Sequence, residues 1–357
     1  MSFQNNFTKI HQKLLDWFIK NQRQLPFRQT KNPYYIWVSE VMLQQTRVAS
    51  MLDSYDNFIK KFPTITALAS AKEEEVLHFW RGLGYYSRAL NLQKGAIYLL
   101  THHNGEFPKN LEEVLKIPGI GSYTARAILS IAYDLPYAVL DGNVKRVLAR
   151  VFYYTKNINT TQAQKELQIL AEGFLNYNSP ANHNQAIMEL GASLCGKNPS
   201  CMSCPLNEIC EAYKKCKQQT LPITKKTKEK KQIQMHFLLL MRENHVLLIK
   251  DSQRRFFKKI YSLPFWIEAK NLTQEYSLKY PFINKLTFVN SQKLPQKHNI
   301  THHEIEILLH TSYMSEKIFF EIKEIEYKFV PLENLESHFP SSISKKIMNF
   351  LKSDFLF

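Results

Sequence analysis

No apolar stretch in this sequence approaches the ~20 residues that a membrane span requires; the densest, Phe237 to Met241, has the length of a strand. No membrane partner is expected. Met1 to Thr8 lacks a basic lead followed by an apolar run and a small-residue cleavage site, so no secretory leader is read and the protein is expected in the cytosol. Cysteine is absent outside one window, Cys195 to Cys216, which in a reducing compartment argues against disulfides and for a metal site. Acid is the scarce charge: 31 Asp plus Glu face 47 Lys plus Arg, leaving a net charge of +16. Such a surface attracts polyanions by counterion release, which makes nucleic acid the first partner to consider.

The chain of 357 residues exceeds the roughly 100–200 of a single domain, and its 44% hydrophobic content is ample for more than one core. From Phe7 to about Ala192 apolar residues recur at helical spacing, as in Phe7, Ile10, Leu14, Trp17 and Phe18, and Pro26, Pro63, Pro108 and Pro136 separate the segments. This half reads as all-α. Lys217 to Gln232, with Lys225, Lys226, Lys228, Lys230 and Lys231, has the composition of a solvated linker. Beyond it the period becomes two, with Ile305, Ile307 and Leu309 alternating with Glu304, Glu306 and Leu308, and one helix is expected near Ile343 to Leu351. The expected division is a helical domain over 1–216, a linker over 217–232 and a mostly stranded domain over 233–357. No internal repeat is visible.

Four constellations carry chemistry. Leu115 to Gly121, followed by Ser122-Tyr123-Thr124-Ala125, looks like a helix-hairpin-helix turn, in which Gly119 and Gly121 let backbone N–H groups reach a DNA phosphate. An ordinary glycine-containing turn between helices is the alternative. Leu140-Asp141-Gly142-Asn143 puts a carboxylate at the start of a predicted helix, either as a cap or as an anion facing a developing oxocarbenium charge. Glu40, Gln44 and Arg47 share one stripe of a helix that begins after Pro33, which lines a cleft or is simply a solvated face with an ion pair. Cys195, Cys201, Cys204 and Cys210 follow C-x5-C-x2-C-x5-C. One C-x2-C pair flanked by single cysteines favours a [4Fe–4S] cluster over zinc, and Cys216 is left out of the ligand set.

Together these motifs resemble the adenine DNA glycosylases of the MutY type, in the helix-hairpin-helix, iron–sulfur superfamily that includes endonuclease III. The resemblance also rests on Leu25-Pro26-Phe27-Arg28, Ser39 to Thr46, Gly82 to Ala89 and Asn184 to Ala192, and it runs nearly the whole chain. It implies a multidomain fold, an all-α helix-hairpin-helix glycosylase with one cluster per chain followed by an α+β Nudix-like domain. It implies a bacterial cytoplasmic monomer that acts on double-stranded DNA carrying adenine opposite 8-oxoguanine or guanine. In such an enzyme Glu40 protonates N7 of the extruded adenine and Asp141 stabilises the oxocarbenium-like sugar. Asn143 orients the chemistry, Glu189 contacts the adenine, Arg28 lines the pocket, and Gln45 and Tyr85 insert beside the lesion base. Tyr123 stands where endonuclease III-like members have a Schiff-base lysine, which implies a monofunctional enzyme. The family has six residues between its first two cluster cysteines; here there are five, and Gly196 and Pro199 are expected to make the tighter turn.

The family's Phe-Ser-His run that meets 8-oxoguanine corresponds to Ile300-Thr301-His302. No glycine follows Gly196, and a working Nudix box needs glycines around its glutamate-rich helix, so the second domain is expected to recognise and not to hydrolyse. Two other readings compete, an endonuclease III-like enzyme acting on oxidised pyrimidines and a DNA-binding module without catalysis. Tyr123 and the extra domain speak against the first, and the pair Glu40 and Asp141 against the second.

Overall fold

The structure is a computed structural model and describes residues 7–224, 231–254, 256–258, 260–268, 280, 283, 286–300, 302–314 and 326–354. Its contacts divide the chain into two units, Met1–Ala71 with Asn91–Lys226, and Lys72–Leu90 with Thr227–Phe357. The segment 72–90 thus clusters with the later part of the chain, which the expected division at 1–216 did not foresee. Residues 225–230 of the lysine-rich linker lie outside the described residues. Its expected first part is not free chain: Arg150 Nε donates to the Leu221 carbonyl at 2.9 Å, and the Ile158 N–H to the Ile223 carbonyl at 3.0 Å.

In the first unit the helices run α1 (Thr8–Asn21), α2 (Pro33–Leu43), α3 (Val48–Lys61) and α4 (Ile65–Ala69). α5 (Glu73–Phe79) belongs to the second unit, and α6 (Ser87–His103) begins there. The first unit resumes with α7 (Leu111–Lys116), α8 (Ser122–Tyr133), α9 (Gly142–Val151), α10 (Thr161–Phe174), α11 (Pro180–Ala192) and α12 (Glu211–Lys214). Side-chain caps start several of them. Asn32 accepts from Tyr34 N–H ahead of Pro33, Asn110 caps α7, Asp141 caps α9 and Thr160 caps α10. α2 is the buried axis: Tyr34 and every residue from Ile36 to Met42 are out of solvent. Gly95 on α6 lets it cross α2 closely, since a Cβ there would lie 2.8 Å from the Trp37 ring and 2.9 Å from the Pro118 carbonyl.

The second unit is built on one mixed sheet of β1 (Lys231–Arg242), β2 (His245–Lys250), β3 (Phe265–Glu268), β4 (Asn290–Lys293), β5 (His298–Ile300), β6 (His303–Tyr313) and β7 (Glu326–Pro331), with the order β4-β6-β1-β2-β7. β3 also pairs with β1, and β5 with β6. β1 and β6 lie parallel from Lys231↔His303 to Met241↔Tyr313, so the alternating Ile305, Ile307 and Leu309 stand beside Ile233, Met235 and Phe237. Both faces of β1 are covered. Phe237 meets Phe257, Phe265 and Phe339 on one side, and Leu238 and Leu240 pack with Leu247, Ile249 and Trp266 on the other. Without glycine, the two-residue turn between β1 and β2 puts Glu243 itself at φ 52°. The short α13 (Leu335–His338) precedes the closing helix α14 (Ser342–Asp354).

Candidate active site

Glu40 sits on the buried axis and is 5% exposed, so the stripe it shares with Gln44 and Arg47 is no solvated face at that point. Tyr123 is the second residue of α8, and its hydroxyl donates to Glu40 Oε2 at 2.6 Å. Burial pushes the Glu40 carboxyl up to about 7 and the nearby Asp141 adds to this, while the Tyr123 hydrogen bond and the Arg28 charge pull it down. Burial and the same two carboxylates push the Tyr123 phenol well above its ordinary value, which keeps it a donor.

Asp141 caps its helix and keeps a second oxygen for a side-chain partner. One oxygen caps α9, accepting from Val144 N–H at 2.7 Å, and the other accepts from Asn143 Nδ2 at 3.1 Å. Arg146, one turn further on, holds Asn143 in place by donating from Nη2 to its Oδ1 at 2.8 Å and to the Gly191 carbonyl at 2.6 Å. Gly191 has to be glycine for this approach, because a Cβ there would lie 2.7 Å from Asn143 Cβ. Burial raises the Asp141 carboxyl, against the pull of the Val144 N–H, the Asn143 amides and Arg146.

These groups line one cleft of about 840 Å³, within the range that small-molecule sites occupy, together with Arg23, Arg28, Gln45 and Met188. Glu189 is absent from that lining. Its carboxylate is taken up by Arg23, at 2.7 and 2.8 Å, and by Arg28 at 2.6 Å. Burial is the largest single influence on it and pushes its proton affinity up, but the two guanidiniums together hold it below the usual range. The carboxylate therefore fixes the two arginines, and both line the cleft. Arg23 was not foreseen, and a contact across 166 residues leaves no local signal. Arg146 had one, its i+3 spacing from Asn143.

Gly119 has φ 83° in the turn between α7 and α8, and a Cβ there would meet Asn91 Cβ at 2.7 Å. Gly121 precedes α8 with open space around it, so the amides that start the helix are reachable. Gln45 and Tyr85 both hold left-handed backbone, φ 59° and 47°, and Tyr85 is 43% exposed. Such strain in non-glycine residues gathers at functional positions. Gln45 lines the cleft. Tyr85 lines a second cavity, wholly within the second unit, with Phe256, Lys258, His298, Asn299 and Ile300. His302 is exposed and outside that lining, at the turn closed by the pair Ile300↔His303. Thr301 lies outside the described residues.

Cys195, Cys201, Cys204 and Cys210 line one small cavity with Val147, Leu190 and Leu206, while Cys216 is exposed and apart from it. Arg150 donates to the Cys195 sulfur at 3.3 Å and to the Gly196 carbonyl at 2.7 Å. Burial pushes the Cys204 thiol up to about 12. Among the described residues no three His, Cys, Asp or Glu side chains form a group able to grip a single metal ion. Four thiols lining one cavity supply the number and kind of donor that a [4Fe–4S] cluster takes.

The superfamily model of helix-hairpin-helix base excision DNA repair proteins matches residues 38–172. An adenine DNA glycosylase of Buchnera aphidicola subsp. Baizongia pistaciae is 36% identical over 302 residues, covering 82% of this chain and 83% of that protein. The counterpart in Buchnera aphidicola subsp. Acyrthosiphon pisum is 33% identical and covers 96% and 98%. That of Mus musculus is 41% identical over 218 residues, 58% of this chain and 42% of its own. Among solved structures, a thermostable thymine-DNA glycosylase matches with a TM-score of 0.53 at 27% identity, over 58% of this chain and 95% of its own. A non-covalent endonuclease III–DNA complex has a TM-score of 0.51 at 23% identity, covering 60% and 98%, a likeness of fold. Among the described residues no helix is long and apolar enough to cross a membrane.

Proposed function

The chain belongs to the adenine DNA glycosylase family, and we propose that it hydrolyses the N-glycosidic bond of adenine mispaired with 8-oxoguanine or guanine in duplex DNA. The observation that carries this reading is the buried Glu40, which burial raises to about 7 against the pull of the Tyr123 hydrogen bond, in one cleft with Asp141. A carboxyl that is half protonated at neutral pH can give its proton to adenine N7, and the base then leaves as a neutral purine. Asp141, held by Asn143 and the α9 amide, faces the positive charge that develops on the sugar, and water completes the hydrolysis. Gly119 and Gly121 open the hairpin to a phosphate, Arg28 borders the base, and Gln45 and Tyr85 hold the stack apart. Tyr123 has no amine, so strand cleavage through a Schiff base has no nucleophile at that position. The test is single-turnover excision on adenine opposite 8-oxoguanine, guanine and thymine. Release should be fastest from the first and negligible from the last, with no adduct trapped by borohydride. Release of thymine glycol in place of adenine would reject the reading.

The division into a glycosylase domain over 1–216, a linker and a recognition domain over 233–357 belongs to this proposal. Cys195, Cys201, Cys204 and Cys210 would hold a [4Fe–4S] cluster, which supplies structural support to the loop beside DNA and no redox step. Protein purified without oxygen should be brown and carry about four irons per chain, and Cys216→Ser should keep them. One zinc and no iron would reject the cluster.

For lesion reading, the cavity that holds Tyr85 is bordered by His298, Asn299 and Ile300. Thr301→Ala with His302→Ala should narrow the rate advantage of 8-oxoguanine over guanine several-fold, since one lost hydrogen bond is worth about 1 kcal/mol. An unchanged ratio there, with a loss in His298→Ala, would move recognition to the bordering strand.

A further inference from the structure

Tyr85's turn and the hairpin strand meet at one cavity, yet they lie more than two hundred residues apart in the chain, so something has to set their spacing. On one side, α5 runs directly into that turn. The turn is braced from within: Trp80 Nε1 donates to the Gly84 carbonyl at 3.2 Å, and Arg88 donates to the Leu83 and Gly84 carbonyls at 3.0 and 3.2 Å. The turn is thus tied to the end of α5 at Trp80 and to the start of α6 at Arg88. On the other side, Ile260 follows the Phe256–Lys258 stretch and lines both this cavity and another.

That second cavity holds a set of complementary charges. Lys328 Nζ lies 3.3 Å from Glu74 Oε1, and Lys250 Nζ lies 3.8 Å from Glu73 Oε1 and 3.9 Å from Glu326 Oε2. Lys250 pairs with Glu326 across β2 and β7, and Lys328 stands two residues on, on the same face. Between the ammoniums is the Tyr261 ring, 4.1 Å from Lys328 Nζ and 5.8 Å from Lys250 Nζ, with its hydroxyl donating to Glu326 at 2.5 Å. Acids in the first turn of a helix also serve its dipole. Glu75 fills the local capping role by reaching back to the Lys72 amide, while Glu73 and Glu74 reach across to the sheet.

We infer that Glu73 and Glu74 with Lys250 and Lys328 form a clasp that sets the distance between Tyr85's turn and the hairpin strand, acting as positioning residues for the base opposite the excised adenine. The last step rests on the function proposed above. Two readouts on the full chain separate the two ideas. The first is amide hydrogen exchange over residues 73–87, which needs no substrate. Exchange should rise in Glu73→Lys with Glu74→Lys and return when Lys250→Glu and Lys328→Glu are added together with Glu326→Lys, which keeps an opposite charge beside position 250. The second is the 8-oxoguanine-to-guanine ratio of single-turnover rates, in which the extra positive charge of the reversal cancels. It should fall on the order of threefold to tenfold in the reversal and recover in the swap. Unchanged exchange, or exchange that the swap fails to restore while thermal unfolding shows it folded, overturns the clasp. Restored exchange with no preference for 8-oxoguanine in the native protein overturns the proposed substrate and leaves the clasp standing.

Discussion

Glu40→Gln should excise adenine about a thousandfold more slowly than the native protein while its affinity for the mispaired duplex changes by no more than about twofold. Loss of a positioned general acid costs 10²- to 10⁴-fold, and glutamine keeps the shape and hydrogen-bonding capacity of the side chain without a proton to give. The pH dependence carries the sign. The active form is the protonated one, so the native rate should be level in mild acid and fall as pH rises through about 7. That limb should vanish in Glu40→Gln. Tyr123→Phe removes a hydrogen bond that favours the ionised carboxylate, so its limb should move to higher pH. A Glu40→Gln variant with a near-native single-turnover rate, or a native profile flat across pH 6 to 8, would take Glu40 out of the mechanism.

The α-helical first unit, the helical hairpin and the clustering of four cysteines were all legible in the sequence, because each depends on local pattern: apolar periodicity, a Pro-Gly-x-Gly turn, thiol spacing. Period-two alternation likewise found β6. The limits have physical causes too. Glu40 reads as one member of a polar stripe, and only the packing around α2 reveals that the helix is buried from Ile36 to Met42 and the carboxyl raised. The resemblance alone assigns Glu189 a contact with the base, and its partners Arg23 and Arg28 are more than a hundred and sixty residues away, so that tertiary structure alone joins them. The left-handed backbone of Gln45 and Tyr85 has no residue-type signature, since glycine is the usual occupant of such angles. Nor could composition show that residues 72–90 cluster with the sheet.

Asp141→Asn should also lower single-turnover excision about a thousandfold, and this substitution separates the capping role from the chemical one. Asparagine is as good a helix cap as aspartate, so the bond from Val144 N–H survives and α9 keeps its start. The other oxygen becomes an NH₂ that faces the Asn143 Nδ2. Asn143 cannot turn over to accept from it without giving up Arg146, which holds its Oδ1 at 2.8 Å. The clash should cost about 1 kcal/mol of stability, a few degrees in thermal unfolding, which leaves the protein folded and bound to DNA. The rate falls for a different reason: a neutral amide cannot balance the positive charge of the departing sugar, and preorganised charge in a cleft of this kind is worth several kcal/mol. Asp141→Ser supplies the control, since serine still caps the helix and removes the clash with Asn143. If stability returns in Asp141→Ser while the rate stays low, the carboxylate's charge is what the reaction uses. If the rate returns with the stability, Asp141 is a cap and nothing more.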